Sequence, residues 1–175
     1  KNISSDYADI ENAKKMALYS QAAAVIASKA GVDGMVGGQS LDVYLTDKPM
    51  DKEQLDYIFR LKTGALIEAA FMAGGILAGC DEKTQGLLCK AGYNVGFAFQ
   101  IKDDILDVTS TQEVLGKPVL SDERNNKTTY VTLYGLEKAE KDTYDMSKEA
   151  MGIIKSIGHN EYLEAVSYTH LRAHE

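Results

Sequence analysis

The 175-residue sequence has no tryptophan, only two prolines and only two cysteines, Cys80 and Cys89. Two cysteines cannot build a disulfide framework or a zinc ribbon, and they fit a reducing compartment. Scarce proline, beside 45 % hydrophobic and 26 % charged residues, excludes collagen-like, low-complexity and disordered classes. Basic residues are in deficit, with 19 Lys and Arg against 26 Asp and Glu and a formal charge of −7. That balance exerts little long-range pull on nucleic acid or an anionic lipid surface, so neither is expected as a partner. Any anionic ligand must be held by local lysines or through a metal. Long apolar runs are lacking too. The nearest, Gly64 to Cys80 (GALIEAAFMAGGILAGC), has 17 residues and carries Glu68 and three internal glycines. A spanning helix takes about 20 predominantly apolar residues. The run reads instead as a buried helix packed through small residues, and no stable membrane insertion is expected. No signal peptide is visible after Lys1, so the expected location is cytoplasmic. The length suits one domain.

What is present is helix, almost throughout. Ser4 or Ser5 caps a helix expected over about Asp6 to Ala30, with Ile10, Ala13, Ala17, Val25 and Ile26 on its apolar side and Gly31 as its stop. A short helix is expected from Met35 to Leu45. After Pro49, Asp51 caps a long pattern over Glu53 to Ala78, closed by Gly79. Asp81 opens the next, from about Glu82 to Asp107, where Leu88, Gly92, Val95, Gly96, Phe99 and Ile105 suggest burial on much of the surface. Val108 to Asn126 reads as a loop broken by Gly116 and Pro118. Helix resumes at about Lys127 and again over Leu136 to Ile157. No strand alternation and no internal repeat occurs. The expected fold is all-α, a bundle of long helices. The tail, Ser167 to Glu175 (SYTHLRAHE), has no apolar face to continue the last helix, so residues 1–166 are expected as the domain and 167–175 as a non-native tail. His170 and His174 stand four apart there but lack the central Glu of a helical zinc motif.

The strongest chemical signal is Phe99-Gln100-Ile101-Lys102-Asp103-Asp104-Ile105-Leu106-Asp107. On a helix, Asp103, Asp104 and Asp107 share one side, and Gln100 precedes them by one turn. If the helix ends near Val108, three like charges crowd the end where the macrodipole disfavours anions. Two readings stand: a solvated acidic helix end, or a site for a cation that relieves both penalties. An all-oxygen donor set suits Mg²⁺, Mn²⁺ or Ca²⁺ over zinc, and no register fits an EF-hand. Mg²⁺ takes one or two protein carboxylates and completes its shell with water and phosphate oxygens, so a phosphorylated ligand follows from that choice. Lys62, Lys117 and Lys127 are the candidate cations beside it.

These segments together resemble the trans-isoprenyl diphosphate synthases (polyprenyl synthetases), most closely the bacterial farnesyl type. Gly37-Gly38-Gln39-Ser40-Leu41-Asp42 is similar to the family's GGQ-x-x-D, and Lys62-Thr63-Gly64-Ala65-Leu66 to its K-T-G-A-L. Phe99 to Asp107 is similar to its second aspartate-rich motif, and Leu115-Gly116-Lys117 and Asn126-Lys127-Thr128-Thr129-Tyr130 to the segments that follow. The likeness runs in order over about residues 6 to 157. It implies a magnesium-dependent prenyltransferase, with Mn²⁺ as the alternative metal, that condenses an allylic diphosphate with isopentenyl diphosphate. By the same likeness the helices run antiparallel around a central cavity, and Asp103, Asp104 and Asp107 hold the metal, Asp103 most directly and facing Lys62 across that cavity. Lys62, Lys117 and Lys127 meet the leaving diphosphate, while Thr63 and Gln100 turn oxygen dipoles toward the carbocation. Gln39 stands on the same wall, Phe99 lines the isopentenyl side, and Asp42 partners a neighbouring group. A homodimer and a farnesyl product are implied as well.

The family's first aspartate-rich motif, DD-x-x-x-x-D with paired arginines, does not occur in this sequence. The chain therefore reads as roughly the C-terminal 60 % of a synthase, inactive by itself. A non-catalytic regulatory subunit is the alternative, although such relatives lose motif acids that are intact here. A class I terpene cyclase fits the G-Q-x-x-D and K-T-G-A-L segments poorly.

Overall fold

The computed structural model describes residues 3–109 and 128–158 with Glu161 and Ala165, residues 3–8 by their backbone alone. Seven α-helices and one π-helical turn make up the described residues, with no strand among them. They are α1 (Ile3–Ala30), α2 (Met35–Tyr44), α3 (Lys52–Ile58), the π turn (Phe59–Gly64), α4 (Ala65–Leu77), α5 (Glu82–Thr109), α6 (Tyr130–Tyr134) and α7 (Leu136–Ile157). Local chemistry sets most boundaries. Asp51 and Gln54 form a reciprocal capping box, Gln54 N donating to Asp51 Oδ1 at 2.9 Å and Asp51 N to Gln54 Oε1 at 3.0 Å. Asp81 Oδ1 accepts from Thr84 N at 2.8 Å ahead of α5, and these bonds hold the Asp81 carboxyl below its ordinary value. Thr129 and Thr132 repeat the box at α6, so that helix begins at Tyr130, later than the expected Lys127.

Helix α5 is the axis of the bundle. It packs against α4 and the π turn on one side and against α6 and α7 on the other, which explains burial nearly all round its surface from Leu88 to Asp107. The core gathers Leu55, Ile58 and Phe59 against Phe97, Ile101, Ile105 and Tyr130. Phe59 meets Phe97 edge-on at 5.6 Å between ring centroids and lies over Tyr130 at 6.3 Å. Offset and edge-to-face rings of this kind add roughly 0.5–1.5 kcal/mol per pair beyond area burial.

Three local expectations are corrected. The pattern over Glu53 to Ala78 is not one helix, because the π turn carries the wider i→i+5 bonding at Phe59–Gly64. The expected inner stripe of α1 is largely exposed, Ile10 and Ile26 at 54 % and 48 % with Val25 half-buried, whereas Ala22 is buried on a helix that packs against α4. Phe99, counted with the buried face of α5, is 46 % exposed. The apolar run behind Lys62 does form a helix with a buried side, and Glu68 within it is 3 % exposed and ion-paired with Lys29 of α1. Cys80 and Cys89 are both free. Burial and the Glu68 carboxylate push the Cys89 thiol up, away from reactivity. Lys117, Lys127 and the tail with His170 and His174 lie outside the described residues.

Candidate functional site

Where α5 approaches its C-terminal end, its polar side opens on a cavity of about 330 Å³. Leu55, Ile58 and Phe59 give it an apolar wall, and Asp42, Lys62, Thr63, Gln100, Asp103, Asp104 and Thr128 supply the polar one. Five segments meet there: α2 brings Asp42, α3 Leu55 and Ile58, the π turn Phe59, Lys62 and Thr63, α5 Gln100, Asp103 and Asp104, and the lead-in to α6 Thr128. The helical spacing of 100, 103 and 104 puts those three groups on one side of α5, as their sequence positions predict.

The contacts pair residues remote in sequence. Lys62 Nζ donates to Asp42 Oδ2 at 2.5 Å, with 31 % and 12 % of the two side chains exposed. Thr63 Oγ1 donates to Gln100 Oε1 at 2.9 Å. Tyr130 N donates to Asp104 Oδ2 at 2.6 Å, so this carboxylate sits against the first amide of α6. Thr128 Oγ1 accepts from Met50 N at 3.2 Å.

Of the residues singled out from sequence, Lys62, Thr63, Gln100, Asp103 and Asp104 share this cavity, Lys62 and Asp103 among its walls as expected. Gln39, half-buried on α2, Phe99 and the 2 % exposed Asp107 are not among those walls. Asp103 and Asp104 line the cavity, Asp104 while accepting from Tyr130 N, and Asp107 is buried one turn further along α5. Asp42, read as a partner of a neighbouring group, is the partner of Lys62. Leu55, Ile58, Phe59 and Thr128 were missed. For the three apolar residues the sequence signal was the helical spacing 55, 58, 59, 62, which sets them on the side of Lys62, and Thr128 stood inside the Asn126 to Tyr130 segment.

Among the described residues no three His, Cys, Asp or Glu side chains stand together as a ready metal cage. The donor chemistry still fits a hard divalent cation. Three carboxylates, Asp42, Asp103 and Asp104, face one ammonium, Lys62, across the described walls. Mg²⁺ requires only one or two protein carboxylates, and Asp42, Asp103 and Asp104 bring carboxylate oxygens to these walls. Hard oxygen donors without sulfur or imidazole disfavour zinc and copper.

With this geometry in hand, the comparisons with known proteins are informative. The sequence pattern of the family described as polyprenyl synthetase matches residues 3–168. A farnesyl diphosphate synthase of Geobacillus stearothermophilus is 41 % identical over 115 residues, covering 66 % of this chain and 39 % of that protein. A geranylgeranyl diphosphate synthase of Cyanophora paradoxa is 40 % identical over 128 residues, covering 73 % and 43 %. Among solved structures, a geranyltransferase of Helicobacter pylori complexed with magnesium and isoprenyl diphosphate superposes with a TM-score of 0.69 at 29 % identity. It covers 89 % of this chain and 50 % of that one. The chain thus spans about two-fifths of the curated relatives it matches. The match over residues 3–168, in a chain folded as an all-α bundle, makes the chain a member of the polyprenyl synthetase family.

Proposed function

We propose that this cavity is one wall of a prenyl-transfer site, and that it holds the diphosphate of an allylic substrate. Support comes above all from the convergence of Lys62, Thr63, Gln100 and Asp103 on one space, in a chain whose relatives are prenyl diphosphate synthases. In the reaction the allylic C–O bond breaks and diphosphate departs with the electron pair. The double bond of isopentenyl diphosphate then attacks the carbocation, a C–C bond forms, and a proton is lost to leave a prenyl diphosphate one unit longer. Farnesyl diphosphate is the first product to assay.

The residues suit this sequence of charges. Asp103, with Asp104 next to it in the same wall, would hold Mg²⁺ (or Mn²⁺). When bound, the metal supplies positive charge where negative charge develops on the leaving group. Lys62, released from Asp42, adds a positive charge on the same side. The Thr63 hydroxyl spends its proton on Gln100, so its lone pairs are the part left to face positive charge. Leu55, Ile58 and Phe59 exclude water, which otherwise captures a carbocation. Residues 1–166 are the part of the chain assigned to this site. The family's first aspartate-rich motif does not occur in the sequence, so the chain alone is expected to be inactive.

The test is incorporation of radiolabelled isopentenyl diphosphate with geranyl diphosphate and Mg²⁺. The chain is assayed by itself and joined to the N-terminal half of the Geobacillus stearothermophilus relative. Incorporation is expected only in the joined form, and EDTA abolishes it. In that form Asp103→Ala lowers the rate about 10²- to 10³-fold, the typical worth of one electrostatic stabiliser, while Glu53→Ala, an exposed acid on α3, stays within about twofold, as surface substitutions do. Turnover by the chain alone overturns the half-site assignment. A folded joined chain without incorporation overturns prenyl transfer.

A further inference from the structure

The π turn that carries Lys62 and Thr63 is gripped from two sides by glycines. On α2, a Cβ at Gly38 stands 2.3 Å from Lys62 N and 2.9 Å from both Leu61 C and Leu61 Cβ. On α5, a Cβ at Gly96 stands 2.7 Å from Gly64 Cα. In both places the obstacle is main chain, which cannot swing aside as a long side chain does. Each glycine also lies one helical turn before a polar residue that holds the same stretch. Gly38 precedes Asp42, the partner of the Lys62 ammonium, and Gly96 precedes Gln100, the acceptor of the Thr63 hydroxyl. Residues four apart share a helix face, so each flanking helix seats the turn's backbone with a glycine and holds its side chain with the polar residue above.

We infer that Gly38 and Gly96 are positioning residues: by letting α2 and α5 touch the backbone of the π turn, they set where Lys62 and Thr63 stand relative to Asp103. The inference deepens the diphosphate reading above and rests on it for its functional arm. Adding one methyl to either glycine pushes the turn away from the helix that also holds its side chain. The Asp42–Lys62 and Thr63–Gln100 contacts then lengthen or the turn rebuilds. Gly86, on the same helix as Gly96, has nothing within 4 Å of its Cβ and serves as the control.

The experiment uses the ¹⁵N-labelled full chain as wild type, Gly38→Ala, Gly96→Ala and Gly86→Ala. Amide resonances of Leu61 to Gly64 are expected to move in the first two variants and to stay in place in the third. Isothermal titration with Mg²⁺ and inorganic diphosphate supplies the second readout. Gly38→Ala is expected to weaken binding about tenfold, the scale of one lost charge-assisted contact. In a Lys62→Met background it should weaken binding no further, because the partner through which it acts is gone. A merely structural role gives the same loss in both backgrounds, and that result overturns the inference. Gly96→Ala, whose methyl meets a single carbon, is the milder variant and decides the matter if Gly38→Ala does not melt cooperatively. Its partner in the cycle is Thr63→Val. If the wild-type chain takes up no Mg²⁺–diphosphate, the diphosphate reading fails in this chain. The positioning inference is then decided by the resonances, and Leu61 to Gly64 unmoved overturn it.

Discussion

Lys102 stands beside Asp103 in the acidic motif yet is only 7 % exposed. Burial pulls its ammonium below the ordinary value of 10.5, and Glu140 on α7 opposes that only in part. A lysine whose folded value is lowered binds fewer protons in the folded chain than in the unfolded one. It therefore costs stability at all pH below its folded value, and the cost fades as pH rises from there toward 10.5. Lys102→Met should raise the urea midpoint at pH 7, with a gain that shrinks by pH 10. An equal gain at both pH values contradicts the assignment. Asp104 poses a different question, because its carboxylate satisfies Tyr130 N at 2.6 Å. Asp104→Ala strands that buried amide and is expected to cost about 1–3 kcal/mol. Asp104→Asn keeps an acceptor and should cost much less. Denaturant titration of the two variants separates a cap for α6 from a metal ligand. On the reading proposed above Asp103 serves the reaction, whereas the Asp104 carboxylate holds the Tyr130 amide of α6.

Among the elements, the caps were the most legible features and the π turn the least. Asp51 and Asp81 announce their helices because a short acidic side chain reaches the free amides of the first turn. Those amides lie within three residues, so sequence alone contains the whole interaction. At α6 the box formed by Thr129 and Thr132 moves the start from Lys127 to Tyr130. Thr129→Ala should cost about 0.5–2 kcal/mol, and Thr129→Ser, which retains the acceptor oxygen, much less, as judged from urea melts. The π turn has no such local cause. Its residues, Phe59-Arg60-Leu61-Lys62-Thr63-Gly64, continue an ordinary helical pattern. Its neighbours explain it better, since Gly38 and Gly96 admit the backbones of two other helices against it. Those contacts join positions more than 20 residues apart, which no window of helical periodicity can contain.

At the scale of the whole molecule, apolar surface is left uncovered on two helices. Ile10, Met16, Tyr19 and Ile26 of α1 are each at least 48 % exposed, and Leu66 and Leu77 of α4 are 42 % and 48 % exposed. Exposed apolar residues in such number favour self-association or a further partner. The paired substitution Tyr19→Lys and Leu77→Lys should raise the soluble monomeric fraction in size-exclusion chromatography. It should leave stability within about 0.5 kcal/mol per site, as surface substitutions do. A large stability loss instead places these side chains in the folded core. Among the described residues no helix is long and apolar enough to cross a membrane, in keeping with the charged, glycine-interrupted run around Glu68.

The sequence by itself determined the helical class, most helix boundaries, the hard-oxygen character of the acidic motif and its place on one side of α5. Each depends on residues within about two turns of one another, where 3.6-residue spacing and capping chemistry decide the outcome. It also carried the family, because the motifs keep their order along the chain. Only the tertiary structure decided which motif residues share a space. It set Lys62 on Asp42, Thr63 on Gln100 and Asp104 on Tyr130 N, left Phe99 at the surface, and buried Asp107. Charge type is a property of a residue, but the partner that neutralises it arrives from another helix. In this chain α2, the π turn, α5 and the approach to α6 must all be packed before the site exists.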